Sequence, residues 1–184
     1  MEEEKLIFAT NDELIWEQLA HEFKNDPEPL EYHAVLECDE RRVLLDICNN
    51  HEVGFRAEAF TVFSSYLFNR NSFRFALHKE GFLDEIGKFL GMQDIILGYK
   101  DFDDRFIIKT NNEEKTAAIL ADGTKRSILL ELPSLTFGIV EYTLEDSDGK
   151  APFLELKIDA AISDLTRLRS IYSMFCEVIK TVDS

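Results

Sequence analysis

Apolar and polar residues alternate along residues 31–38 and again along residues 41–48, and a period of two is typical of a half-buried β-strand. Asp39 and Glu40 separate the two runs, so the pattern predicts a hairpin with a two-residue turn. That turn sets a specific register, because a slip of one residue would exchange the two faces. The predicted pairs are Tyr32–Ile47, Ala34–Leu45, Leu36–Val43 and Cys38–Arg41 on one face, and His33–Asp46, Val35–Leu44 and Glu37–Arg42 on the other.

Two more alternating runs follow this hairpin. Residues 54–68 form a long predicted strand in which the apolar phase changes at Phe60 and Val62, and a β-bulge would explain such a change. Residues 72–79 form the next predicted strand. Four consecutive strands predict an antiparallel meander with one buried face.

Helical spacing of apolar residues marks the first two predicted helices. Thr10 and Glu13 match the capping-box pattern at a helix start, and the helix should end at Pro27. Its apolar stripe comprises Leu14, Ile15, Leu19 and Phe23, with Trp16 and Ala20 at the edge. Residues 81–90 show the same spacing, and Gly91 stands where glycine commonly ends a helix.

The middle of the chain carries the clearest start and stop signals. They predict a strand at residues 106–110, then a helix that is capped by Asn111 and ends at Gly123. A second helix is predicted to follow at once, capped by Thr124 and ended by Pro133.

The last part of the chain predicts a hairpin and a long helix. Strands at residues 136–144 and 153–158 flank a turn at residues 146–149, and Asp159 is the expected cap of a helix at residues 160–182. That helix has an apolar stripe of Leu165, Leu168, Tyr172, Phe175, Ile179 and Val182. The stripe lasts barely three heptads, which favours packing on a sheet, with a homodimer seam as the alternative.

These elements predict an α+β fold: an antiparallel meander with an N-terminal helix, followed by strand, helix, helix, hairpin and long C-terminal helix. No linker rich in proline or glycine divides the chain. We therefore expect residues 1–184 to form a single compact unit, with two packed subdomains, residues 1–92 and 93–184, as the alternative.

The charge of the chain narrows the classes of partner. Among 184 residues, 36 are acidic and 20 are basic, a formal net charge of −16. Such a charge repels phosphate backbones and anionic lipid surfaces, so we expect neither a nucleic acid nor a membrane partner. It favours a basic protein partner, or it serves solubility alone.

The cysteines and the N-terminus indicate the cellular location. Cys38, Cys48 and Cys176 form no CxxC pair, and Cys38 and Cys48 point to opposite faces of the predicted hairpin, so reduced thiols are expected. The acidic start lacks the positive charge of a signal peptide, and no apolar run reaches the length of a membrane span. A cytoplasmic protein is predicted.

No motif assigns a catalytic, cofactor-binding or metal-binding residue, and no cofactor is predicted. Asp101, Asp103 and Asp104 invite a calcium loop, but the required glycine and glutamate are missing at positions six and twelve. We expect a solvated turn there, with Asp103 or Asp104 paired with Arg105. The four histidines lack zinc-ligand spacing, and the spacings of the serines and glycines fit neither a nucleophile elbow nor a phosphate loop.

Residues 90–120, LGMQDIILGYKDFDDRFIIKTNNEEKTAAIL, resemble an uncharacterised bacterial family of domains of unknown function. The residues that match its pattern are Gly98, Phe102, Asp103, Phe106, Asn112, Ala118 and Leu120. The resemblance extends over residues 91–182 and implies a capped helix pair, a hairpin and a long final helix. The family has no established activity, so the resemblance implies no site residues.

The first functional hypothesis is therefore a non-catalytic protein-interaction module that uses an acidic or aromatic surface, with a chaperone-like or immunity-like role as a variant. One alternative is an enzyme with a site assembled from dispersed residues, namely Asp103, Arg105, His33 and His78. Another is a small-ligand or lipid-binding domain that uses the phenylalanine-rich sheet. A cavity of ligand size would favour the latter.

Overall fold

The computed structural model describes residues 5–9, 11–38, 41–50, 58–68, 72–79, 91–143 and 149–183. Within those ranges the fold is α+β, as predicted. The strands are β1 (Lys5–Ala9), β2 (Glu31–Cys38), β3 (Arg41–Asn50), β4 (Glu58–Tyr66), β5 (Phe75–His78), β6 (Gln93–Ile95), β7 (Ile107–Thr110), β8 (Leu135–Thr143) and β9 (Lys150–Ile158). The helices are α1 (Asp12–Asn25), α2 (Lys100–Asp103), α3 (Glu113–Leu120), α4 (Gly123–Glu131) and α5 (Leu165–Asp183).

The described strands form one sheet in the order β1-β2-β3-β4-β9-β8-β5-β7-β6. Strands β2, β3 and β4 form the predicted antiparallel meander. The fourth predicted strand, β5, is not the neighbour of β4, because the C-terminal hairpin β8–β9 lies between them. The sheet therefore joins strands from both sides of residue 92. Strand β1, which the sequence pattern did not predict, pairs with β2 in parallel.

The β2–β3 hairpin has the predicted register. Every predicted pair is present, from Tyr32–Ile47 to Cys38–Arg41. Its two faces differ in polarity, and this difference specifies the register before any other strand is added.

The predicted bulge in the third strand is absent from the described residues. Strand β4 pairs with β3 without interruption from Glu58 to Ser64. The apolar phase changes because both faces of β4 carry apolar side chains: Phe63 is fully buried on one face, and Phe60 is half-buried on the other. The preceding predicted positions, residues 54–57, lie outside the described residues.

One row of directly opposed side chains crosses the sheet beneath the helices. It runs through Ala34, Leu45, Phe63, Leu156, Phe137, Leu77 and Ile108 on seven adjacent strands. All seven are buried. We call the face that carries this row the helix-packed face.

Helices α1 and α5 cover the helix-packed face. The ring of Phe175 on α5 lies 6.0 Å from that of Phe63 and 6.2 Å from that of Phe137, between ring centroids. The two helices meet through Trp16 and Tyr172, whose rings are 5.6 Å apart and edge-to-face. The predicted stripe of α5 thus packs inside the molecule.

The observed helix caps differ from the predicted ones by one to five residues. Asn112, rather than Asn111, caps α3 by accepting a hydrogen bond from Lys115 N. Asn111 instead bonds to the backbone just before β5, where its Oδ1 accepts a hydrogen bond from Arg74 N at 2.8 Å. Asp122, rather than Thr124, caps α4, so Gly123 begins the second helix and does not end the first.

Helix α5 begins later than predicted because the chain before it is fixed to the sheet. Asp159 N donates to Ser134 O, and the Thr61 hydroxyl donates to Ala160 O and accepts from Ile162 N. The helix begins only after this attached segment, at Leu165. Asp164 caps it, since its carboxylate accepts a hydrogen bond from Arg167 N at 2.7 Å.

At the N-terminus, Asn11 caps α1. Thr10, the predicted helix at residues 81–90 and most of the turn at residues 146–149 lie outside the described residues.

Candidate functional site

The other face of the sheet carries a groove of about 430 Å³. The described residues that line it belong to five adjacent strands, β3, β4, β9, β8 and β5. We call the face of the sheet that carries this groove the groove face. Ligand sites in proteins usually have volumes of about 300–1,000 Å³, so the groove is large enough for a small molecule or for a few side chains of a partner.

Small residues form the floor of the groove. Ser64, Glu155, Gly138 and Ala76 are directly opposed on β4, β9, β8 and β5, and three of the four have little or no side chain. A row of small residues between taller neighbours leaves a depression, because side chains stand roughly perpendicular to a sheet. Here β8 and β5 also approach closely, since a Cβ atom on Gly138 would lie 2.4 Å from Phe75 O.

The adjacent row of the groove face is polar. It runs through Asp46, Val62, Lys157, Thr136 and His78. At one end Asp46 Oδ1 lies 2.7 Å from His33 Nδ1, which is the predicted cross-strand pair. At the other end His78 is 3% exposed, and its Nδ1 lies 3.0 Å from Lys79 O.

Four aromatic rings extend the groove on its other side. Phe68, Tyr66, Phe153 and Tyr142 form a continuous series with successive centroid distances of 5.4, 5.7 and 5.4 Å and interplanar angles of 87°, 74° and 82°. We call this series the aromatic ladder. Phe68 is 63% exposed and Tyr142 is 46% exposed, so both ends of the ladder reach solvent.

Hydrogen bonds and ion pairs fix the polar groups around the ladder. The Tyr142 hydroxyl donates to Glu155 Oε2, which holds the tyrosine ring back over the groove. Arg74 donates to Glu141. Among the described residues, Lys157 forms no ion pair and Glu155 Oε1 accepts no hydrogen bond.

The four residues proposed for a dispersed enzyme site do not form one site. Asp103 accepts hydrogen bonds from Leu97 N at 3.0 Å and Gly98 N at 2.8 Å, so its carboxylate fixes a turn. The predicted pairing of Arg105 with Asp103 or Asp104 is wrong. Arg105 donates to Leu132 O and Pro133 O.

Asp104 pairs with Lys100 instead, at 2.5 Å. Of the four residues, His78 alone lines the groove. His33 contacts the groove through Asp46.

The thiol of Cys176 does not have the properties of a reactive nucleophile. Neither Cys48 nor Cys176 forms a disulfide within the described residues. Burial raises the pKa of the Cys176 thiol to about 12, although a hydrogen bond with Tyr172 acts in the opposite direction. A reactive cysteine has a lowered pKa. Within the same described ranges, no group of three His, Cys, Asp or Glu residues could hold a metal ion.

Sequence patterns did not identify the ladder as a surface. A partial signal was present in β9, where Phe153, Glu155 and Lys157 alternate with buried leucines and isoleucine. A second was the phase change in β4, because it puts apolar residues on both faces. Neither signal shows which aromatic residues remain exposed, since that depends on the strands that become neighbours.

No protein-family model matches this chain, and no curated protein matches its sequence. Among solved structures, the crystal structure of the mycobacterial trehalose monomycolate transport factor A, TtfA, is similar over 82% of this chain and 68% of that chain, with a TM-score of 0.42 and 7% identity. An overlap this low carries no argument about fold or function. The resemblance of residues 90–120 to a bacterial family stays a prediction.

Within the described ranges, no helix combines the length and the apolarity needed to cross a membrane.

Proposed function

We propose that this protein is a non-catalytic protein-interaction module, and that the groove and the aromatic ladder form its binding surface. The observation that carries the proposal is the exposure of Phe68 and Tyr142, 63% and 46%, in a continuous series of four rings. Contiguous exposed apolar surface rimmed by polar residues commonly marks a site of protein interaction.

The ladder has the properties of an interface anchor. Aromatic residues supply much of the binding energy of protein interfaces, because each buries a large area with few rotatable bonds. In this ladder each ring is in edge-to-face contact with the next. Rings that are already fixed lose little conformational entropy when a partner covers them.

The exposed acidic side of α1 is a less favourable main contact surface than the aromatic ladder. Exposed acidic residues lie along α1, including Asp12, Glu13 and Glu17, and Glu13 is already paired with Arg169. Exposed ion pairs contribute little to stability or binding. We assign the acidic charge a steering role: it raises the rate at which a basic partner arrives, and the ladder provides the contact.

Site-specific photo-crosslinking in the native cell tests the proposal. A photoreactive phenylalanine analogue is placed at Phe68 and at Tyr142, with Glu17 on the exposed side of α1 as the matched control position. The expected result is an adduct with the same protein from the two ladder positions and none from Glu17. Adducts from Glu17 alone, or no adduct from either ladder position, would reject the groove face as the binding surface.

A small-ligand binding role is the second candidate, and the groove volume of about 430 Å³ favours it. Native mass spectrometry of the protein purified from its own host measures any retained small molecule. Ser64 lies on the groove floor, so Ser64→Leu should displace such a molecule and leave the crosslinks at Phe68 unchanged. If no small molecule is retained by the unmodified protein, this second candidate fails.

A further inference from the structure

We propose that the Tyr142 end of the groove receives the guanidinium or ammonium group of a basic, extended segment of the partner protein. This inference rests on the proposed function and names the chemistry of the partner. It is carried by three features of the site: the position of Glu155, the exposed ring of Tyr142 and the arrangement of charges around them.

Glu155 is positioned to accept a cation. Its carboxylate stands on β9 in the groove lining, is half-buried, and receives the Tyr142 hydroxyl on Oε2. Among the described residues no donor reaches Oε1. A fixed carboxylate with an unused oxygen is well suited to a charge-assisted hydrogen bond from lysine or arginine.

The neighbouring rings suit the same group. A cation is attracted to the face of a tyrosine or phenylalanine ring within about 6 Å of the centroid. Phe153 lies two residues before Glu155 on β9, and Tyr142 on the adjacent strand β8 contacts both residues. The chain itself places guanidinium groups against rings: Arg126 is 3.4 Å from the centroid of Tyr99, and Arg41 is 5.5 Å from that of Phe68.

The charged groups near Glu155 and Tyr142 have mixed signs. Lys157 is the one that would repel a bound cation. Arg74 is already paired with Glu141, and Asp46 with His33. Lys157 lies on the same side of β9 as Glu155 and has no ion pair among the described residues. Its ammonium group therefore weakens binding of a cation beside Glu155, whereas the net charge of −16 attracts it at long range.

The ladder favours an extended segment. Its rings succeed one another at 5.4, 5.7 and 5.4 Å. Every second residue of an extended chain advances by roughly 6–7 Å. Alternate side chains of such a segment can therefore contact successive rings while a basic residue reaches Glu155.

Fluorescence anisotropy with two labelled peptides tests the inference. One peptide alternates leucine and arginine, and the other has glutamate in place of arginine. The arginine peptide should bind at least about tenfold more tightly than the glutamate peptide, and Glu155→Gln should weaken its binding by about tenfold. Lys157→Gln should tighten binding of the arginine peptide, because it removes the opposing charge.

Tyr142→Phe and Tyr142→Ala separate the ring from the hydroxyl. The phenylalanine variant should lose less affinity for the arginine peptide than the alanine variant, since it keeps the ring. Circular dichroism of each variant verifies that it is folded.

The inference is overturned if neither peptide binds, if both bind equally, or if the charge variants act with the opposite signs. The last result would identify an anionic ligand held by Lys157. These outcomes are distinguishable from failure of the proposed function, because the crosslinks from Phe68 and Tyr142 do not depend on the sign of the partner's charge.

Discussion

The two faces of the sheet differ although they are built from the same strands. The helix-packed row, from Ala34 to Ile108, consists of buried apolar side chains. The neighbouring residue along each of these strands belongs to the groove face. That adjacent row contains Asp46, Lys157, Thr136 and His78. The first row has the composition of a folding core. The second contains charged groups that a core does not need, and these agree with the binding surface proposed above.

Substitution of one phenylalanine on each face of β4 gives the largest expected difference. Phe63 is fully buried beside Phe175, so Phe63→Ala should lower the free energy of unfolding by about 3–5 kcal/mol. Phe60 is half-buried, and Phe60→Ala should cost less than about half as much. Guanidinium unfolding measures both. Equal costs would contradict the distinction between a face that forms the core and a face proposed for binding.

Gly138 is the point at which the groove face does affect folding. A Cβ atom there would lie 2.4 Å from Phe75 O, and β5 and β8 would have to separate, so Gly138→Ala should cost about 1–3 kcal/mol. Gly123 at the start of α4 is the matched control. Its nearest atom would be Arg126 Nη2 at 3.7 Å, and Gly123→Ala should stabilise by about 0.5–1 kcal/mol. Thermal unfolding of both variants would detect a reversal of these signs.

Asp103 should affect folding and leave binding unchanged. It accepts two backbone N–H groups, so Asp103→Ala should cost about 1–2 kcal/mol. Exposed Asp101, two residues before it, should change stability by less than about 0.5 kcal/mol when replaced by alanine. Urea unfolding gives both values. Altered crosslinking from Phe68 in the folded Asp103 variant would show that the binding surface extends beyond the groove face.

The smallest effect at neutral pH concerns Cys176 on the helix-packed side. Burial raises its pKa to about 12 in the folded protein, whereas an unfolded thiol titrates near about 8.5. The unfolded state therefore loses its proton first, and stability falls as the pH rises from about 8.5 toward 12. Cys176→Ala should reduce this fall, measured by urea unfolding at several pH values. An identical slope in both proteins would contradict the burial of the thiol.

Burial also raises the pKa of Tyr32, and the hydrogen bond and charge of Glu22 act in the same direction. Tyr32 is present in both the parent protein and the Cys176 variant, so it contributes equally to the pH dependence of both. The difference between their slopes therefore reports Cys176 alone.

Local sequence determined those parts of the fold whose partners are close along the chain. The β2–β3 register follows from two adjacent runs of alternating residues, and a slip would bury Asp46 against the helices. The pair α3 and α4 and the long helix α5 follow from apolar spacing and stop signals. Local sequence did not determine the cap position of α3, because Asn111 and Asn112 are equally good caps until Arg74 N donates a hydrogen bond to Asn111.

Tertiary structure alone decided the order of the strands and the location of the candidate site. The β8–β9 hairpin lies between β4 and β5, and no local pattern specifies a pairing between residues so distant in sequence. The ladder joins Tyr66 to Phe153, and the groove floor joins Ser64 to Gly138 through Glu155. Local periodicity shows which side chains share a face of one strand. The surface that those faces form together depends on non-local strand pairing, which is favourable only when the whole sheet assembles.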